Sequence, residues 1–106
     1  MKSLRATYNE HHCITLRIFG LRFLEEDLAN YLKSKGFIRL QRSFFAGRPL
    51  PSVLRDVERL LPRFINAPDR DVIHLVPVYS VDVKNMRVYG RALADISAVG
   101  KLVVVP

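Results

Sequence analysis

The chain has 106 residues, enough for one domain with a modest core and near the size at which pairing with a second copy adds useful burial. Hydrophobic residues make up 49% of it and charged ones 25%, ordinary globular proportions that exclude a disordered or low-complexity chain. Seventeen Lys and Arg against ten Asp and Glu leave a formal charge of +7. With 12 Arg to 5 Lys, the bias is toward an anionic partner held by bidentate contacts, nucleic acid first among them, while solubility is the plainer use of such charge.

In chain order, residues 1–12 show no period and read as an N-terminal extension, 13–90 as the core and 91–106 as a tail. No apolar run reaches the roughly 18 residues of a membrane span, and the N-terminus lacks the apolar stretch of a secretory signal. Cys13 is the one cysteine and cannot form an internal disulfide, so the expected compartment is the reduced cytoplasm. At the start of an apolar strand it reads as a small buried hydrophobe.

Residues 13–19, CITLRIF, alternate with Ile14, Leu16 and Ile18 on one face and Thr15 and Arg17 on the other, the pattern of a half-buried strand. Leu21, Leu24, Leu28, Tyr31 and Leu32 then recur at helical spacing, with Glu25, Glu26 and Asp27 near the start. Lys33, Lys35 and Gly36 end that helix as a basic last turn and a C-cap glycine.

Residues 37–47, FIRLQRSFFAG, are rich in strand formers and long enough for one bent strand or a tight hairpin. From Pro51 the apolar positions Val53, Val57, Leu60, Leu61 and Phe64 mark a second helix, with Arg55, Arg59 and Arg63 at four-residue spacing on its other face. Residues 71–78 are a further strand whose Pro77 demotes that part to a sheet edge. Residues 86–90, MRVYG, read as another strand, and Leu102 to Val105 as a last one in the tail. The expected fold is α+β, of the ferredoxin-like βαββαβ type, with an antiparallel sheet, helices on one face and an additional C-terminal strand.

The arginines carry the strongest chemical signal. Arg55, Arg59 and Arg63 repel one another unless an anion or the interleaved Asp56 and Glu58 relieves them, so phosphate contact and a solvated helix face stay in balance. Arg39 and Arg42 differ by three positions and point to opposite faces of a regular strand. For either, pairing with an acid such as Asp71 or Glu58 is the alternative to ligand contact. A metal nuclease needs carboxylates at the ends of core strands, and the first strand has none. His11, His12 and Cys13 are adjacent and point apart in an extended chain, which does not make a zinc site. His74 is a lone strand histidine, and no phosphate-binding loop, nucleophile elbow or dinucleotide glycine pattern occurs.

The stretch 33–49, with Arg39, Gln41, Ser43, Phe45 and Gly47 in the order Arg-x-Gln-x-Ser-x-Phe-x-Gly, followed by the basic helix and by DVIHLVPV and MRVYG, resembles the CRISPR-associated Cas-two family. The resemblance covers roughly residues 13–90. It implies a ferredoxin-like homodimer formed through the sheets, with Ser43 and Phe45 near the dimer centre. Leu102, Val103, Val104 and Val105 would form a strand that adds to the partner's sheet. It further implies that the dimer bridges the Cas-one integrase and lies along the backbone of a DNA duplex.

Members of that family described as metal-dependent nucleases use an aspartate at the end of the first strand. Ungapped alignment places Ile18 there, and Glu25 and Asp27 where related chains carry arginines that assist. An isoleucine cannot bind Mg²⁺. The expectation is therefore a non-catalytic adaptor in CRISPR spacer acquisition without a cofactor, contacting nucleic acid through Arg39, Arg42, Arg48, Arg55, Arg59 and Arg63. The alternative is a metal-dependent endonuclease acting on RNA or DNA, for which Mg²⁺ is the cofactor.

Overall fold

A computed structural model describes residues 12–20, 24–91, 93–94 and 99. The elements are β1 (His12–Phe19), α1 (Glu25–Ser34), β2 (Ile38–Gln41), β3 (Phe44–Gly47), α2 (Pro51–Leu60), a 3-10 turn (Leu61–Phe64), β4 (Val72–Tyr79) and α3 (Ser80–Lys84). The strands form one sheet in the order β2-β3-β1-β4, every pair antiparallel. α1 thus joins β1 to β2 with β3 between them, and α2 joins β3 to β4 with β1 between them. Two interleaved split βαβ units make the fold ferredoxin-like.

Alternation along β1 explains where the core sits. Ile14, Leu16 and Ile18 point to one side and are packed with Leu28, Ala29 and Leu32 of α1 and with Leu54 and Val57 of α2. Both helices therefore cover the same face of the sheet, as the expected fold requires. Phe37 and Phe45 complete this layer, each almost fully buried.

The ends of α1 follow from sequence. Glu25, Glu26 and Asp27 occupy its first turn, where the helix dipole favours carboxylates. At its C-terminus Gly36 takes φ +93°, the Gly36 amide donates to the Lys33 carbonyl at 3.1 Å and the Phe37 amide to Leu32 at 3.0 Å. This pair of bonds is a Schellman stop, which needs the left-handed conformation that glycine adopts most cheaply.

The structure settles one open reading and changes two expectations. Residues 37–47 form a hairpin, β2 and β3 joined at Arg42 and Ser43, and this hairpin supplies the second and third strands of the βαββαβ order. The second helix is α-helical only to Leu60, then tightens into the 3-10 turn. Pro62 has no amide hydrogen to donate into the preceding turn, so the α-helical ladder ends there. Residues 86–90 are not a strand: beyond β4 the chain turns into α3, and burial of Val83 and Met86 against Cys13, Leu40 and Ala46 draws this segment over the sheet face instead of along an edge.

Pro77 lies in β4, which is an edge strand, as a residue lacking the ladder donor requires. Leu102 to Val105, with the expected tail strand, lie outside the described residues, as do Met1 to His11. Among the described residues no helix is long and apolar enough to cross a membrane.

Candidate nucleic-acid interface

The hairpin turn and the start of α1 are tied together by charge. A β-bulge interrupts the β2-β3 register between Arg39 and Gln41, so the alternation that would put Arg39 and Arg42 on opposite faces does not hold. Both reach α1 instead. Arg39 lays its fork on Glu26, Nη1 and Nη2 each donating to one carboxylate oxygen at 3.2 Å, while Nε donates to the Arg42 carbonyl at 2.9 Å. Arg42 Nε donates to Glu25 at 3.1 Å.

The acids that meet these arginines are thus Glu25 and Glu26, not Asp71 or Glu58. Helix-terminal acids had a local explanation in the dipole, which hid their second partner. The Arg39 side chain is 11% exposed and also covers the Phe45 ring, with its guanidinium carbon 5.5 Å from the centroid. Its Nε closes the hairpin turn and its two Nη atoms tie the hairpin to α1. Its hydrogen bond to Glu26, together with its charge, holds that carboxyl below the ordinary glutamate range. Arg42 is 80% exposed and keeps a surface for a ligand.

Asp71 has a different task. Its Oδ2 accepts from the amides of Asn66 at 3.0 Å and Ala67 at 2.9 Å, anchoring the loop that leads from the 3-10 turn into β4. Gly20, at φ +85°, comes so close that a Cβ there would stand 2.5 Å from Asp71 Oδ1.

Arg55, Arg59 and Arg63 are exposed on the outer side of the helix layer, away from the Leu54, Val57 and Leu61 that face the core. Arg59 also meets Asp56 at 3.6 Å, both side chains largely in water, a contact of little energetic weight. The row therefore remains an electropositive surface. Arg48 is half-buried and has partners of its own.

Ser43 lies half-buried in the hairpin turn. Phe45 is 1% exposed and packed under the helices, so it has no surface to offer a second copy in this conformation. Ile18 is also buried on the helix-facing side, at 2% exposure. A carboxylate ligand at that place would sit inside the core. His74 is exposed on β4 and meets the Phe19 ring edge-on at 5.6 Å. Cys13 is buried, and burial pushes its thiol up despite the opposing charges of Arg48 and Lys84.

Sequence reasoning passed over Arg17, Arg87 and Arg91. They meet around one concavity on the other side of the sheet, and the only hint was that Arg17 lies on the polar face of β1. No family model matches the chain, and no curated protein is significantly similar to it.

Proposed function

We infer that the chain is a non-catalytic, dimeric adaptor of the Cas-two type, which holds duplex DNA by its phosphate backbone and bridges the Cas-one integrase during CRISPR spacer acquisition in the cytoplasm. The observation that carries the DNA contact is the exposed row of Arg55, Arg59 and Arg63 on the outer helix surface. Guanidinium groups at this spacing match phosphates without reading bases, which is how sequence-independent binding works. Arg42 extends the cationic surface at the hairpin tip.

Dimerisation is supported by the open face of the sheet. Phe19, Val72 and Val76 are 49%, 38% and 47% exposed there, and a cluster of apolar residues on one sheet face is the usual mark of an interface. The non-catalytic part of the reading rests on Ile18, a core side chain where an active relative of the resembled family would carry its aspartate.

Salt-dependent binding to a short duplex tests this reading. The chain is expected to bind duplexes of different sequence alike. Replacing Arg55, Arg59 and Arg63 together by alanine should make the slope of log K against log salt shallower by about 3, roughly one for each lost phosphate contact. Affinity and slope unchanged in that variant would remove the row from the interface. Mg²⁺-dependent cleavage of DNA or RNA that persists through repurification would overturn the non-catalytic assignment in favour of an endonuclease.

A further inference from the structure

Among the described residues, the face of the sheet opposite α1 and α2 is only partly covered. α3 and residues 86–91, 93 and 94 lie over one part of it, where Val83 and Val99 pack with Cys13, Leu40 and Ala46 as a second, smaller core. A cavity of about 420 Å³ remains beside this cover. That volume falls in the range of about 300–1,000 Å³ usual for small-molecule sites.

Its floor depends on the bulge in β2. In a regular strand Leu40 and Gln41 would face opposite ways, but here both line the cavity, as expected where a bulge re-aims a side chain. Gln41 pairs with Phe44, and Phe44 with Arg17 across β3 and β1. The Arg17 guanidinium carbon stands 4.7 Å from the Phe44 ring centroid, which restrains it over the aromatic face.

Met86 to Tyr89, Arg91 and Ala94 bring the other wall. Gln41 Nε2 donates to the Arg91 carbonyl at 3.0 Å, and the Leu93 amide donates to the Leu40 carbonyl at 3.1 Å, so this segment is pinned to β2. It adds Arg87 and Arg91 to Arg17, with no carboxylate among the described lining residues. None of the three forms an ion pair with a described residue. Three guanidinium groups in one concavity repel one another, and a bound anion relieves that repulsion. Tyr89, also in the lining, is 86% exposed and leaves a flat ring without a cover.

We propose that this cavity binds a nucleoside phosphate, either a free mononucleotide or the phosphorylated end of a single strand. Arg17, Arg87 and Arg91 take the phosphate, for which the guanidinium fork is suited. Tyr89 stacks on the base. Gln41, with one amide hydrogen engaged, keeps its oxygen and second hydrogen for the base edge. The proposal does not rest on duplex binding, because the cavity and the Arg55, Arg59, Arg63 row lie on opposite sides of the sheet.

Titration of the intact chain with 5′-AMP, adenosine, inorganic phosphate and a single-stranded tetranucleotide with or without a 5′-phosphate tests it, read by NMR shifts of the Gln41 side-chain amide and the Tyr89 ring. AMP should bind at least about tenfold more tightly than adenosine or phosphate, and Arg17→Gln or Tyr89→Ala should each weaken it about tenfold. The variant lacking Arg55, Arg59 and Arg63 should bind AMP as before, which separates failure here from failure of the duplex reading. Preference for AMP identifies a free nucleotide as the ligand; preference for the phosphorylated tetranucleotide, lost without its phosphate, identifies a strand end. The proposal is overturned if phosphate binds as well as AMP, or if AMP produces no shift at about 10 mM, far weaker than a built site binds. It is equally overturned if Arg17→Gln and Tyr89→Ala, both shown to be folded by their melting curves, leave AMP binding unchanged.

Discussion

Arg39 shows how one side chain can be claimed by two roles. Its five donors allow a bidentate contact with Glu26 and a third bond to the turn carbonyl at the same time, a combination lysine's single ammonium cannot reproduce. Arg39→Ala should lower stability by about 1–2 kcal/mol in denaturant unfolding, because it frees the hairpin from α1 and uncovers Phe45. Arg39→Lys should recover less than half of that loss. Arg42→Ala, removing a side chain that is 80% exposed, should cost under about 1 kcal/mol. Equal losses in Arg39→Ala and Arg42→Ala would refute the assignment of Arg39 as the side chain that ties the hairpin to α1. Glu26 gives the pair a pH signature. Its carboxyl is held below the ordinary value of 4.5, so the folded chain gains from the ionised form above that value and loses the gain as pH falls through the depressed one. The stability difference between the wild type and Glu26→Gln should be full at neutral pH and close in acid; a difference that persists in acid would mean that the charge is not responsible.

At the scale of elements, the joints between strands and helices carry the fold's less obvious requirements. The bulge in β2 lets Leu40 and Gln41 share one face, and Pro62 turns the end of α2 into a tighter 3-10 turn. The junction between β1 and α1 meets the loop before β4 at Gly20, where φ is +85° and Asp71 leaves no room for a Cβ. Gly20→Ala combines a left-handed backbone with a clash against the side chain that holds Asn66 and Ala67. It should destabilise by about 1–3 kcal/mol and shift the amide resonances of Asn66 and Ala67. A melting temperature equal to the wild type would show that the loop yields without cost.

For the whole molecule, the two faces of the sheet have unequal cover. One is sealed by α1 and α2 over the main core. On the other, among the described residues, α3 with residues 86–91, 93 and 94 covers only part, leaving Phe19, Val72 and Val76 exposed. If that strip meets a second copy, static light scattering at micromolar concentration should give the dimer mass, and Val76→Asp should give the monomer with little change in its own unfolding, because an exposed position tolerates the charge. A monomeric wild type would count against the dimer. The three arginines of the cavity and the three of the outer helix surface also place positive charge on both sides of the molecule. Duplex binding and nucleotide binding should therefore respond to separate substitutions.

Periodicity and local chemistry, which the sequence states directly, determined the strand at β1 with its core face, the acidic start and glycine stop of α1, the apolar face of α2, and β4 as an edge strand marked by Pro77. Those features depend on neighbours three or four residues away, or on the two-residue repeat of a strand. The order of elements along the chain pointed to the βαββαβ plan but left residues 37–47 open between a bent strand and a hairpin, since both draw on the same strand-forming residues. Only the tertiary structure decided that Arg39 pairs with Glu26, that Phe45 lies under the helices, that residues 86–90 cross a face instead of joining the sheet, and that Arg17, Arg87 and Arg91 line one cavity. Each of these depends on residues far apart in the chain, whose meeting is set by the packing of whole elements and leaves no period in the sequence.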